Sequence, residues 1–324
     1  MKAIIVYYSL EGNVKSVVRM ISNLTGADLL ELVPKVPYPT GKVSKYISGK
    51  AALSHDEPEL MPYDLDLDEY DTVIVATPVW AGNPAPPLNT FLATNDISEK
   101  RTGIIVSSMS GNGSKCADRI KKMIGSEPVC VMDVREPKKQ DPDLLMDIEM
   151  SFARDMIGPY STHEEWDLFD EEGNLLDMKM TRGAEIPEGC YHKIVSVWIR
   201  NTKGEYLLSK RSMEKLVSPG VWECTGGAVD VGETTLDAAA REVKEELGID
   251  LDPSRGVLAR STKHDLMHEF YDVWVFEEDI DIADIKLQSE EVSDVRWMTK
   301  KDVDELWEKD EFNALLYYYK DIMY

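Results

Sequence analysis

Gly227–Ile249 reads GAVDVGETTLDAAAREVKEELGI, and this stretch decides the fold of the second half of the chain. Within it, Thr235–Leu247 has helical periodicity, because Leu236, Ala240, Val243 and Leu247 fall on one stripe at three-to-four-residue spacing. Glu242, Glu245 and Glu246 lie together beside that stripe. Like charges at such spacings cost about 0.2–0.5 kcal/mol per pair, and the last turn of a helix disfavours anions. Gly248 is placed to close the helix as a left-handed cap. Taken alone, the three glutamates read as a solvated acidic face. Clustered at the unfavourable end of a helix, however, they do not stabilise it, whereas a bound divalent cation reverses the sign. Hard oxygen ligands suit Mg2+ or Mn2+ rather than zinc.

The whole segment resembles the Nudix box, G-x5-E-x7-R-E-U-x-E-E-x-G-U with U aliphatic. Gly227, Glu233, Arg241, Glu242, Val243, Glu245, Glu246, Gly248 and Ile249 meet it in register with no departure. The resemblance implies a Mg2+-dependent hydrolase of a nucleoside diphosphate linked to another group. In that reading Glu242, Glu245 and Glu246 hold metal, and Glu233 and Arg241 orient the loop and the helix. Glu233, Arg241 and Glu242 are the catalytic candidates inside the box. Glu290 and Glu291 are loop candidates for a general base, and the sequence does not choose between them. Lys210 and Arg211 are candidates for phosphate contact together with Gly227, although a lone basic pair is as readily a solvated surface.

The flanks extend the pattern. His192–Arg200 and Glu205–Ser209 read as paired strands, Gly256–Thr262, Glu269–Phe276 and Asp294–Met298 as further strands, and Lys301–Glu308 as a helix. The arrangement resembles the αβα sandwich of that family, an α+β fold with a mixed sheet. His192–Gly227, with Lys210-Arg211-Ser212, is similar to the branch related to isopentenyl-diphosphate isomerases. Those enzymes use a cysteine in an Asn-x-Cys-Cys-x-His-Pro-like motif, which is missing here. Cys224 therefore reads as a small strand residue, and hydrolase is favoured over isomerase.

Further out, the first half alternates short apolar runs with amphipathic segments. Ala3–Tyr8, Asp28–Leu32, Thr72–Ala76, Gly103–Ser108 and Val129–Val134 read as strands. Val14–Leu24, Pro87–Ala93, Lys115–Ile124 and Asp141–Met156 read as helices. This is the signature of an α/β, doubly wound parallel five-stranded sheet with right-handed crossovers. Such a sheet binds its ligand at the carboxyl ends of its strands. Three loops stand there in order: Ser9-Leu10-Glu11-Gly12-Asn13-Val14, Thr77-Pro78-Val79-Trp80-Ala81-Gly82-Asn83, and Ser107-Ser108-Met109-Ser110-Gly111-Asn112-Gly113-Ser114. The first brings backbone N–H groups to a helix start, where a phosphate is cradled. The second offers an aromatic face, and the third a close backbone approach.

On these loops the first half is similar to the flavodoxin family, whose sheet carries flavin mononucleotide (FMN). The resemblance implies a phosphate loop of Ser9, Glu11, Gly12, Asn13 and Val14, with the flavin ring flanked by Pro78, Trp80, Gly82, Asn83, Ser108, Gly111 and Gly113. Val14 stands where many members have a hydroxyl residue, and Glu11 brings a carboxylate near a dianionic phosphate. Domain limits of 1–158 and 161–324 are expected, the break falling at the Gly158-Pro159 pair. An alternative assigns the work to a flavin electron carrier, with unknown redox partner, and makes the Nudix half a nucleotide sensor. The intact box argues against it, because a sensor is free to lose its carboxylates.

Composition narrows the classes. The 324 residues carry a net charge of −24, of which −5 falls on residues 1–150 and −19 on residues 151–324. An acidic surface repels nucleic acid and anionic lipid. No run reaches the roughly 18 apolar residues a membrane helix needs. Cys116, Cys130, Cys190 and Cys224 form no C-x-x-C pair, which suits free thiols in a reducing cytoplasm.

Overall fold

In the first half, β-branched runs pair in parallel, and the three central strands are buried on both faces. The computed structural model describes residues 2–40, 44–109, 111–158, 165–182, 184–215 and 217–323, so Ser110 and the boundary residues Pro159, Tyr160 and Ser161 lie outside the described residues. Contacts divide the chain into two units, Met1–Ile157 and Gly158–Tyr324.

Unit 1 runs β1 (Ala3–Tyr7), α1 (Asn13–Thr25), β2 (Asp28–Glu31), α2 (Ser44–Leu53), β3 (Thr72–Trp80), β4 (Asn83–Pro84), α3 (Pro86–Thr94), β5 (Arg101–Ser108), α4 (Ser114–Ile124), β6 (Cys130–Arg135) and α5 (Pro142–Ile157). The sheet order is β2-β1-β3-β5-β6, all parallel, and β4 adds to β3 alone in an antiparallel pair. The order reverses between β1 and β3, which fixes the crevice at their carboxyl ends. Ile4, Val6, Val73, Val75, Ile104 and Val106 are buried with Leu88, Phe91 and Ile120 of the covering helices. Gly103 lets α5 lie close on β5, since a Cβ there would stand 2.7 Å from Met156 Sδ.

The second loop differs from its expected form. β3 does not stop at Ala76 but continues to Trp80, and Val79 and Trp80 pair with Pro84 and Asn83. Val79 and Trp80 favour extended backbone, and the turn falls on Ala81 and Gly82, both at positive φ. Thr77 Oγ1 accepts the Ala85 N–H at 3.0 Å and closes the hairpin.

Unit 2 runs β7 (Glu165–Phe169), β8 (Leu175–Thr181), β9 (His192–Arg200), β10 (Tyr206–Arg211), β11 (Trp222–Glu223), β12 (Thr225–Ala228), α6 (Thr235–Leu247), β13 (Val257–His264), β14 (Glu269–Glu277), β15 (Val292–Met298), α7 (Lys300–Glu308) and α8 (Tyr319–Ile322). Its sheet is mixed: β9 and β14 pair in parallel, while β10, β12, β13 and β15 join antiparallel. Alternation along β9 splits the core. Val195, Val197 and Ile199 pack towards Ala238, Ala239, Val243 and Leu247 of α6, while Trp198 packs on the other face with Tyr206, Phe312, Tyr318 and Tyr319. The β7–β8 hairpin is an element the sequence reading does not include. Among the described residues no helix is long and apolar enough to cross a membrane.

Candidate functional site

α6 is fixed at both ends by local chemistry. Thr234 caps it, its hydroxyl accepting the Asp237 N–H at 3.2 Å. At the other end Gly248, at φ 70°, donates its N–H to Lys244 O, the left-handed cap expected there. The helix bounds coincide with those read from the sequence, but its buried stripe is shifted. Ala238 and Ala239 are buried where Ala240 was expected, and Glu246 is buried on the stripe rather than lying beside it.

Arg241 organises the box. Its Nε donates to Glu233 Oε1 at 2.9 Å, and its Nη1 to Glu242 Oε1 at 2.9 Å and Glu245 Oε2 at 3.0 Å. Nη2 donates to the carbonyl of Ala228 at 2.9 Å, so one guanidinium ties α6 to β12 and to the loop between them. The Asp230 N–H donates to Glu233 at 3.2 Å, and the Gly232 N–H donates to Asp167 of β7 at 2.7 Å. Gly227 is required by approach: a Cβ there would lie 2.3 Å from Glu242 Oε1. Gly226 is held as closely against backbone, since a Cβ would stand 2.4 Å from the carbonyl oxygen of Val195.

Burial raises the Glu242 carboxyl to about 7, against the opposing pull of Arg241. Glu246 is raised well above the carboxylate range, by burial first and then by Glu223 and Glu242 nearby. Its Oε2 is buried and has no hydrogen-bond partner among the described residues. Such an atom is costly unless a cation or proton meets it. This donor set, all hard carboxylate oxygen with one orphaned buried atom, fits a divalent cation. Among the described residues no three acidic, histidine or cysteine side chains stand together so as to hold a metal ion, and Arg241 donates to both Glu242 and Glu245.

The other predicted residues separate. Arg211 is half-buried, and donates to Glu223 and to the carbonyl of Val217. Lys210 lies over the ring of Trp222. Glu291 pairs with Lys215 and is close enough to raise Glu246, whereas Glu290 is exposed. Glu223 is a member of this cluster that the sequence reading missed. It sits four positions before Gly227 on a two-residue strand and accepts the Asn313 amide at 2.6 Å. Cys224 is buried, and burial pushes its thiol up, the opposite of an activated nucleophile.

In unit 1 the three loops come together at one end of the sheet, and much of their polarity is spent on the loops themselves. Ser9 Oγ accepts the Lys15 N–H at 3.1 Å. Ser108 Oγ accepts the Gly111 N–H at 2.9 Å, and Asp133 accepts the Gly113 N–H at 2.5 Å. Asn83 donates to Ala81 O at 3.1 Å inside the hairpin turn. Gly12 at φ 79° precedes α1 with no side-chain cap. Trp80 is half-buried and meets Tyr8 and Tyr38 edge-on, with ring centroids 5.7 and 5.1 Å away. Tyr38 belongs to no motif that sequence reading could single out.

This geometry defines a diphosphate-hydrolase type of box in one unit and a flavodoxin-type crevice in the other. A Flavodoxin family model matches residues 2–134, and a NUDIX domain model matches residues 191–318. A Nudix hydrolase of Listeria monocytogenes is 39% identical over 150 residues, covering 46% of this chain and 88% of that protein. An isopentenyl-diphosphate Delta-isomerase of Streptomyces avermitilis is 30% identical over 157 residues, covering 46% of this chain and 77% of that protein. A flavoprotein in complex with FMN from Lactobacillus acidophilus superposes with a TM-score of 0.36 at 23% identity, covering 41% of this chain and 92% of that one. The MutT protein of Methanosarcina mazei gives 0.32 at 31%, covering 40% and 88%. The chain belongs to the Nudix hydrolase family through its second half, and its first half is a flavodoxin domain.

Proposed function

We propose that the second unit hydrolyses a nucleoside diphosphate derivative with Mg2+ or Mn2+, and that the first binds FMN as an electron-transfer module. The observation that carries the hydrolase reading is the buried, partnerless Glu246 oxygen beside Glu242 and Glu245 in a box with no departure. When bound, the divalent cation supplies charge to neutralise the diphosphate and to acidify water. Arg241 holds Glu242 and Glu245 on one side of the helix, and Gly227 keeps the approach to Glu242 open. Glu291, the loop carboxylate nearer the cluster, is favoured over Glu290 as the group that takes a proton.

FMN is supported by the three loops meeting at the switch point and by the flavodoxin match. Gly12 and the start of α1 hold the phosphate, and the aromatic set around Trp80 flanks the ring. Bound FMN supplies electron transfer. The test is a panel of nucleoside diphosphate derivatives, including FAD and NADH, incubated with the whole protein in Mg2+, Mn2+ or excess chelator and read by mass spectrometry. Cleavage of a panel member only with metal is expected; a panel untouched in both metals overturns the reading. FAD has a place in it because its cleavage yields FMN, and a covalent tether gives about millimolar effective concentration.

A further inference from the structure

We propose that Lys138 makes the first loop selective for a phosphorylated flavin over an unphosphorylated one. The inference rests on the FMN reading above and adds a residue outside all three loops. Lys138 follows β6, yet its Nζ donates to the carbonyl of Glu11 at 2.8 Å across 127 residues of sequence. The ammonium also packs on Gly12, where a Cβ would stand 2.7 Å from Nζ. Any side chain at position 12 would therefore push the lysine off the loop, quite apart from the positive φ there.

The neighbouring lysines are already neutralised. Lys15 Nζ is 2.8 Å from Glu31, and Lys139 Nζ is 2.6 Å from Glu136. Lys138 has no carboxylate partner among the described residues, so it brings a full positive charge to a loop whose one acidic side chain, Glu11, is exposed. The chain places it there through a tight turn at Pro137–Lys139, entered by Glu136 at φ 38°. The α1 start offers no basic alternative, because Gly12 and Asn13 are uncharged and Lys15 is paired. A phosphate at the start of α1 thus meets backbone N–H groups and one ammonium that no carboxylate neutralises among the described residues, which offsets the carboxylate at position 11. Riboflavin, with a hydroxyl in place of the phosphate, draws nothing from that charge.

The experiment titrates FMN and riboflavin separately into the full-length protein and follows quenching of flavin fluorescence. A charge-assisted contact of ordinary strength corresponds to roughly tenfold in affinity. Lys138→Met is expected to weaken FMN about tenfold and leave riboflavin within twofold. Lys138→Arg restores FMN, Lys139→Met changes neither ligand, and added salt narrows the wild-type preference. Equal losses for both flavins would make Lys138 a strut that only shapes the loop, and an unchanged preference would remove it altogether; either result overturns the inference. Wild-type protein that binds neither flavin would fail earlier, at the FMN reading itself. Thermal melts of each variant separate a misfolded domain from a specific loss.

Discussion

Arg241 reaches Glu233, Glu242, Glu245 and the Ala228 carbonyl, all within eighteen positions of Ala228–Glu245, whereas the first loop of unit 1 is gripped by a lysine 127 positions away. The two candidate sites use opposite materials. One is a cluster of charged side chains on a single helix and its entry loop. The other is backbone and small residues on three loops, brought together only by the strand order. A side-chain site of the first kind carries its own stress, three carboxylates around one guanidinium, and so it responds strongly to single substitutions. A backbone site of the second kind spreads the same task over many weak contacts, and each substitution there should cost less.

The sharpest way to break that contrast is at Glu246. Glu246→Gln and Glu245→Gln keep the shape of α6 but remove charged oxygen donors, and each should cost on the order of 10²–10⁴-fold in hydrolysis rate. The two differ in stability. Glu246 is buried and raised, so its neutral isostere should leave the melting temperature unchanged or higher at pH 8, whereas Glu245 is exposed and pairs with Arg241. Full activity in both variants would remove the metal assignment.

Glycines test the frames behind the two sites. A methyl group at Gly226 meets a backbone oxygen that cannot move without separating β12 from β9, while one at Gly103 meets side-chain atoms, Met156 Sδ and the Phe152 ring. Overpacking of this kind costs about 1–3 kcal/mol, or roughly 2–4 °C per kcal/mol in a domain of this size. Gly226→Ala should fall at or above the upper end and Gly103→Ala near the lower, read by calorimetry on each variant. A smaller loss at Gly226 would mean that the box frame gives more readily than its geometry implies.

The aromatic contacts sharpen the comparison from the other side. Trp80→Ala should weaken FMN by about 1 kcal/mol, a factor of five or so, far below the effect of one glutamate in the box. A loss of a hundredfold would show that the crevice depends on one side chain after all. The contrast also explains what the amino-acid sequence discloses. The bounds of α6 and β9, the parallel order of the first sheet and the Gly248 cap follow from short-range periodicity and capping, which are written locally. Thr77–Trp80 reads as loop on its Pro and the following Gly, but pairing of Val79 and Trp80 with Pro84 and Asn83 prevails. A charged residue such as Glu246 reads as solvent-facing beside the stripe; only the packing of α6 on the sheet buries it. Lys138, Tyr38 and Glu223 join their clusters through tertiary contacts, and no spacing rule points to them. The β7–β8 hairpin does alternate, in Glu165-Trp166-Asp167-Leu168 and Asp177-Met178-Lys179-Met180-Thr181, but each run is short and rich in charge, which weakens its signal.

An effect on stability alone is expected at Glu149, and it asks whether unit 1 hides a stressed carboxyl of its own. Glu149 is buried on α5, far in sequence from the three loops, and burial alone raises it well above the ordinary carboxylate value. A carboxyl whose folded value is raised holds its proton more tightly in the folded state. The folded state therefore binds more protons between the unfolded value, near 4.5, and the raised folded one. Stability then falls as pH rises through that window, and stays at the lower level above it. Glu149→Gln removes the titrating proton and keeps the shape. Its melting temperature should exceed that of the parent at pH 8, and the difference should shrink to nothing near pH 4, where both side chains are neutral. A constant difference at every pH would trace the effect to packing rather than ionisation. A variant less stable at pH 8 would mean that the carboxylate is welcome where it sits and that burial does not stress it.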